Sequence, residues 1–342
     1  MLNSFPEDNQ DAVSQKSGQF ASFKQRQTQR LEGSYCDPIE DVALIQLYLE
    51  LSEVVRMSLD GNIKREKIEG VIGKIADVFN QQLYNNLLLY FYSVSKDHYL
   101  TIHIVNDVIL SIGFAVSLGL PREDVMEIGT CAFCHDFGML QYTHLFQKNH
   151  ELEQAENELF KQHPVKSAEI FQPHFGAKIL QSILDVHEYT NGQGYPKGKK
   201  GSEISQIAKI VAICDVYEAL THPRNFRKPY NPYTAMKTII QRKDSTFDPY
   251  VVKKFLSFLS IYPIGSFVSL STSEVAVVIA SNRGFPSMPI VRLLLNNQHE
   301  IDRSKKVINL LDQSMINITS TISEKEEEEV LRVLKPRGDF DL

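Results

Sequence analysis

The sequence predicts a mainly α-helical protein that ends in a small β-rich unit. Two patterns carry that expectation. Between Asp37 and about residue 260, apolar residues recur at intervals of three and four, the period of one helix face. After Tyr262 the pattern becomes alternation rich in Val and Ser, the period of a half-buried strand. A third observation is punctuation. Gly119-Leu120-Pro121 stops one helix and Pro121 starts another, and a glycine-rich loop runs from Asn191 to Gly201.

Residues 1–37 are polar and weakly periodic, and are expected as a flexible N-terminal segment. Residues 38–96 form an N-terminal helical region, a support layer for the unit after it. There IEDVALIQLYLELSEVVRMSL and IEGVIGKIADVFNQQLYNNLLLYFYSV flank a turn at DGNIKRE. Residues 97–260 form the next unit. It opens with a helix over 97–118, continues through the apolar run VMEIGTCAFCHDFGML, and resumes at KQHPVKSAEIF, where Pro164 suits a first helical turn. ISQIAKIVAICDVYEALT is apolar almost all round, which marks a central buried helix. Residues 261–342 form the β-rich extension, with strands at FVSLSTSEVAVVIAS and MPIVRLLL about a turn at NRGF. Its acidic run SEKEEEEV is read as a solvated helix face or a disordered segment.

The chain has 342 residues, 43% hydrophobic, enough for one large or two modest domains. A formal net charge of -6 argues against a general DNA or RNA binder, which carries a basic excess. Cys36, Cys131, Cys134 and Cys214 make no small secreted disulfide framework. No signal peptide opens the chain, and no apolar run is read as long enough to span a bilayer, so a soluble cytoplasmic protein is expected. Cys131-Ala-Phe-Cys134-His135 matches the CxxCH pattern of covalent haem attachment. It lies inside a helical apolar run, so both cysteines are read as small buried residues.

The CAFCHD stretch organises the chain. His135 and Asp136 stand side by side in an apolar run, where a helix would bury both. A buried carboxylate needs compensation, and a metal ion supplies it as well as a His–Asp hydrogen bond does. Further candidates of the same type are His103, His163, His187 and Asp215. Each has a plain reading alone: a core histidine at His103, a helix start at His163, a helix end at His187, a hydrogen-bond acceptor at Asp215.

Taken in order, these residues resemble the HD-GYP family, a branch of the HD metal-dependent phosphohydrolases. The resemblance runs from about Asp97 to Phe255. Asp97-His98-Tyr99 with His103 resembles the family's DxYTxxHS. His135-Asp136-Phe137-Gly138 is similar to HDxG, and His163-Pro164 to HP. His187-Glu188 followed by Asn191-Gly192-Gln193-Gly194-Tyr195-Pro196 is similar to HExxDGxGYP. Cys214 to Thr221 resembles ADVYDALT, Arg224 and Arg227 fall where the family has RPYR, and Phe247-Asp248-Pro249 matches FDP. The β-rich tail also resembles an extension that many members carry.

The resemblance implies hydrolysis of cyclic di-GMP to pGpG or GMP by a metal-bridging hydroxide. Two divalent ions, about 3.5–4 Å apart in such sites, share a carboxylate. Asp136 would bridge them as the catalytic carboxylate. His103, His135 and Asp215 would complete one shell, and His163 and His187 would serve the other. The mixed N/O set suits Fe or Mn, with Zn, Mg and Ni as further choices. Gly194, Tyr195 and Pro196 would shape the nucleotide side, and Arg224 and Arg227 would clamp phosphate.

Four positions depart from the family pattern. Met139 replaces the Lys of HDxGK, Val186 the first His of HHE, Asn191 the Asp of DGxGYP, and Ser167 a Gly after HP. Tyr99 stands where some members have a Glu for a third metal, so at most two are expected. This leaves two main readings: a working phosphodiesterase of reduced activity, or a degenerate module that binds a cyclic dinucleotide or a signalling-protein partner. An HD hydrolase acting on another nucleotide is a third. The resemblance also implies a homo-oligomer.

Overall fold

The computed structural model describes residues 42–80, 99–146, 152–222, 227, 229–282, 284–313 and 315–334. The N-terminal segment 1–37, the Asp97-His98 pair, Arg224 and the end of the acidic tail therefore lie outside the described residues.

Helices α1 (Val42–Leu59) and α2 (Arg65–Asn80) form a hairpin about Gly61, whose φ of 85° supplies the left-handed turn. α3 (Tyr99–Ser117) comes next and is buried on every side, against α1, α2 and α4 (Arg122–Cys134). By length and composition α3 would pass as a bilayer-spanning helix, which corrects the sequence reading that no run is long enough. In the structure 83% of that stretch is buried inside the protein, so it is the core helix of the bundle.

α5 (Gln154–Phe160), α6 (His163–Phe171) and α7 (Ala177–Asp185) lead to the glycine-rich loop. α8 (Gln206–Thr221) packs on α3 and α4. Its N-terminus is capped by Ser205, whose hydroxyl accepts from the Ala208 N–H at 3.1 Å. α9 (Pro232–Gln241) and α10 (Pro249–Leu259) start in the same way at Asn231 and Asp248, each followed by proline. One apolar cluster runs from Leu44 to Leu259, so the N-terminal helices share a core with the rest of the bundle. Cys131, Cys134 and Cys214 are free thiols buried within that core, the first two inside α4.

The C-terminal unit is a five-stranded antiparallel sheet: β1 (Phe267–Leu270), β2 (Val275–Ala280), β3 (Ile290–Leu295), β4 (Val307–Asn309) and β5 (Ile318–Thr321). The strand order is β4-β3-β2-β1-β5. Alternation puts Val268, Ala276, Val278 and Val291 on one face and Phe267, Val275 and Val277 on the other. The acidic run is helical, as α11 (Glu324–Leu334). Val330 and Leu331 pack under the second face, and most of its other described side chains stay in solvent.

Candidate metal centre

The apolar run around His135 is not one continuous helix. α4 ends at Cys134. His135 caps it at φ -63°, ψ -28°, Asp136 turns out at φ -103°, ψ 1°, and a 3-10 turn runs from Phe137 to Tyr142. The break matters, because adjacent residues on a straight helix point about 100° apart. Here both side chains reach the same point. Gly138 allows the turn: a Cβ there would lie 2.0 Å from the carbonyl oxygen of His163. Ser167, deep in α6, fastens it. Its hydroxyl accepts from the Gly138 N–H at 2.8 Å and donates to the His135 carbonyl. A departure from the family pattern has thus become a staple between the turn and the helix carrying His163.

All six sequence-selected residues converge. Oδ2 of Asp136 lies 2.8 Å from His103 Nε2. Oδ1 of Asp136 lies 3.3 Å from His135 Nε2, 3.3 Å from His163 Nε2 and 3.5 Å from His187 Nε2. Asp215 Oδ1 is 3.3 Å from His103 Nε2, and the Nε2 atoms of His163 and His187 face each other at 2.9 Å. The donors fall into two groups that share Asp136. One is His103, His135, Asp136 and Asp215; the other is Asp136, His163 and His187.

The buried Asp136 Oδ1 and His135 Nε2 have no hydrogen-bond partner within the protein. Orphaned buried polar atoms of this kind need a compensating group. Nitrogen and carboxylate donors converging on one carboxylate fit divalent cations.

The electrostatics agree. Burial opposes charge on Asp136, but His135, His103, His163 and His187 together hold its pKa well below the usual carboxylate value. Burial likewise pulls His103 down. Glu218, Asp136 and Asp215 outweigh it and hold the imidazole well above its usual value. For His135 burial prevails, and its pKa is lowered. A metal-free site therefore favours a proton on His103 beside the carboxylates.

Sequence reasoning missed the residues behind the donors. Glu218, one turn after Asp215 on α8, accepts from His103 Nδ1. Asn106 Nδ2 donates to the same carboxylate at 3.3 Å, and His222 Nδ1 lies 3.2 Å from it. Such a carboxylate–imidazole contact fixes the tautomer and leaves Nε2 for a ligand. His135 Nδ1 donates to the Ala132 carbonyl at 3.0 Å, and His163 Nδ1 to that of Phe160 at 2.8 Å. Asp107 lies behind His135, its Oδ2 3.8 Å from Nδ1. Burial and the charge of Asp215 push its pKa well up. The available signal was spacing: Asn106 and Asp107 come three and four residues after His103 on an apolar helix.

The glycine-rich loop is tied down by two buried carboxylates just before it. Glu188 accepts from the backbone N–H groups of Lys197 and Lys199, the latter at 2.9 Å. Asp185 accepts from Lys199 Nζ at 2.6 Å and the Ser205 N–H at 3.1 Å. Gly194 has no room for a side chain, since a Cβ would meet Tyr189 N at 2.3 Å. The Tyr195 ring stacks on His187 with centroids 5.1 Å apart and planes 12° apart, and the Tyr195-Pro196 bond is cis.

The other selected positions make contacts within the fold. Both Nη atoms of Arg227 donate to the carbonyls closing α8, to Ala219 at 2.6 Å and to Leu220 at 3.3 Å. Its guanidinium also lies over Tyr230. Met139 and Val186 are buried in the apolar core. Tyr99 stacks on His103.

Residues 106–251 match the HD domain family, and residues 267–330 match the KOW domain associated with HD domains. The HD match begins at Asn106, just after His103, and takes in the other five donors. The chain is 29% identical over 219 residues to a cyclic di-GMP phosphodiesterase of Pseudomonas aeruginosa, covering 63% of this chain and 53% of that one. It is 26% identical over 211 residues to the cyclic di-GMP phosphodiesterase PdeB of Borreliella burgdorferi, covering 61% and 56%. It thus spans little more than half the length of these curated relatives. Among solved structures it is similar to an HDGYP protein from Bdellovibrio bacteriovorus, with a TM-score of 0.51 and 19% identity over 67% of this chain and 76% of that one, a likeness of fold. Residues 106–251 are thus an HD domain, and the ordered motifs, the converging donors and these matches support the HD-GYP family for the chain.

Proposed function

We propose that this protein is a metal-dependent phosphodiesterase that hydrolyses cyclic di-GMP to pGpG or GMP. The observation that carries the proposal is the Asp136 carboxylate with donor groups on both its oxygens. His103, His135 and Asp215 would hold one divalent ion with Asp136, and His163 and His187 the other. Such a pair supplies Lewis acidity to a phosphoryl oxygen and lowers the pKa of water. Fe or Mn suits this N/O set.

The chain's own residues supply orientation. Glu218 holds the His103 ring, Ser167 holds the HD turn, and Glu188 and Asp185 hold the loop carrying Tyr195. Arg227 is committed to the end of α8.

The test uses the full chain, purified without oxygen and loaded with Mn or Fe. Wild type should bind two equivalents and release pGpG or GMP from cyclic di-GMP. Asp136→Ala should bind none and release nothing; unchanged metal content would refute the assigned site.

One observation favours a second reading. Met139, where the family has a phosphate-binding Lys, is 4% exposed and packed in the core. The site then lacks one cation, on a scale of several kcal/mol of transition-state stabilisation. A degenerate module would bind the dinucleotide tightly without product.

A further inference from the structure

The two donor groups are built differently. The first has four donors, all buried: His103 and Asp215 from α3 and α8, and His135 and Asp136 from the end of α4. Two of the four are carboxylates. The second has three donors, one of them the shared Asp136 and the other two imidazoles, so it holds a single carboxylate. A dication facing two carboxylates is held more strongly than one sharing a single carboxylate.

The imidazoles also differ in how they are fixed. His103 donates to Glu218, which is itself held by Asn106, and His135 donates to the Ala132 carbonyl. In the second group His163 is anchored on Phe160, but among the described residues His187 Nδ1 has no such acceptor. Asp215 Oδ2, at 3.9 Å, is too far to accept from its Nδ1. His187 is placed instead by the Tyr195 ring stacked on it. A ring held by stacking without such a hydrogen bond has more freedom to lose when the ion binds, and that loss weakens binding. Val186, which replaces a histidine of the family pattern, points into the apolar core and adds no donor.

From this asymmetry we infer that the two metal positions are unequal. The inner one, at His103, His135, Asp136 and Asp215, fills first and retains its ion. The outer one, at Asp136, His163 and His187, exchanges with solution. Free metal concentration would then set how much of the protein is binuclear. The inference rests on the proposed metal site and adds an order and a difference in affinity to it.

The test is titration of the chelator-stripped full chain with Mn(II), read by calorimetry and electron paramagnetic resonance. The first equivalent should bind at least about tenfold more tightly and give an isolated-ion spectrum, with spin coupling only during the second. His187→Gln and, separately, His163→Gln should bind one equivalent at the wild-type first affinity. Glu218→Gln should weaken the first equivalent about 10–100-fold, the range for losing an outer partner of a ligating histidine. Two equivalents of equal affinity, a coupled spectrum from the first addition, or loss of both ions in both histidine variants would overturn the inference while leaving a metal site in place. Absence of any bound Mn(II) would overturn the site itself.

Discussion

The helical unit and the β unit both bury apolar residues, but they differ in the polar groups buried with them. The helical unit buries His103, Asn106, Asp107, His135, Asp136, His163, Asp185, Glu188, Asp215, Glu218 and His222. Among the described residues from 261 onward, Ser266 and Arg292 are the buried polar side chains. Burying ionisable groups is costly unless they are paired or neutralised. The β unit is therefore a scaffold held by period-two packing on two faces. The helical unit carries an electrostatic load that packing does not require, and that load marks the chemistry.

The contrast breaks first at single substitutions. Gly138→Ala puts a methyl group against backbone on two sides, 2.0 Å from His163 O and 2.8 Å from Ser167 N. It should destabilise the protein by about 3 kcal/mol, the upper end for overpacking, and lose metal as the HD turn leaves α6. Val277→Ala, in the centre of the sheet at 0% exposure, should cost about 2 kcal/mol from lost burial and a small cavity. Its metal content should equal wild type. Denaturant titration with metal analysis checks both. Loss of metal in Val277→Ala would show that the sheet supports the site.

Acidity sharpens the contrast. His103 has a raised pKa in the metal-free fold, so its protonated form adds stability below about pH 6.5, its ordinary value. That stability is lost as pH rises through the folded value. Asp107, raised by burial and then by Asp215, adds a loss in the same direction. Asp136 is depressed, so its contribution is present at neutral pH and lost only in acid. The metal-free protein should thus lose several degrees of Tm as pH rises above about 6.5. Metal ligation requires a neutral His103, so the Tm gain on adding Mn(II) should grow over the same range. A flat metal-free profile would mean that His103 is neutral throughout.

The donors were legible because histidine and aspartate stand out in apolar helical runs and keep an ordered pattern. The break after Cys134 was not. CAFCHDFGML is apolar on both sides of His135 and Asp136, and the turn depends on Gly138 meeting the backbone of His163, a contact distant in sequence. Glu218 and Asn106 were hidden for a related reason: a polar residue on a helix does not announce whether it faces water or a neighbour. Arg227 showed its charge but not its target, which depends on where α8 ends. β4 and β5 are three and four residues long, too short to show a period, and exist through pairing with β3 and β1. Met139 and Val186 were visible as departures, and only packing shows that both joined the core.

The smallest effect is expected at the remaining departure. Asn191 stands where the family pattern has Asp, which suggests a lost charge near the substrate. The structure gives the side chain a local task instead. Its Oδ1 accepts from the Gln193 N–H at 3.0 Å, closing the turn that starts the loop, and its Nδ2 donates to the Gln193 side chain at 3.1 Å. Aspartate has the same acceptor in the same place, so the turn survives the exchange. What is lost is one exposed side-chain hydrogen bond, worth about 0.5 kcal/mol or less in that setting. Asn191→Asp should therefore leave Tm within about 2 °C of wild type, as an effect that small implies, with metal content unchanged. Turnover of cyclic di-GMP should change less than twofold. A larger change in turnover at constant Tm and metal content would mean that position 191 reaches the nucleotide, and that the loop is part of the site's chemistry as well as its wall.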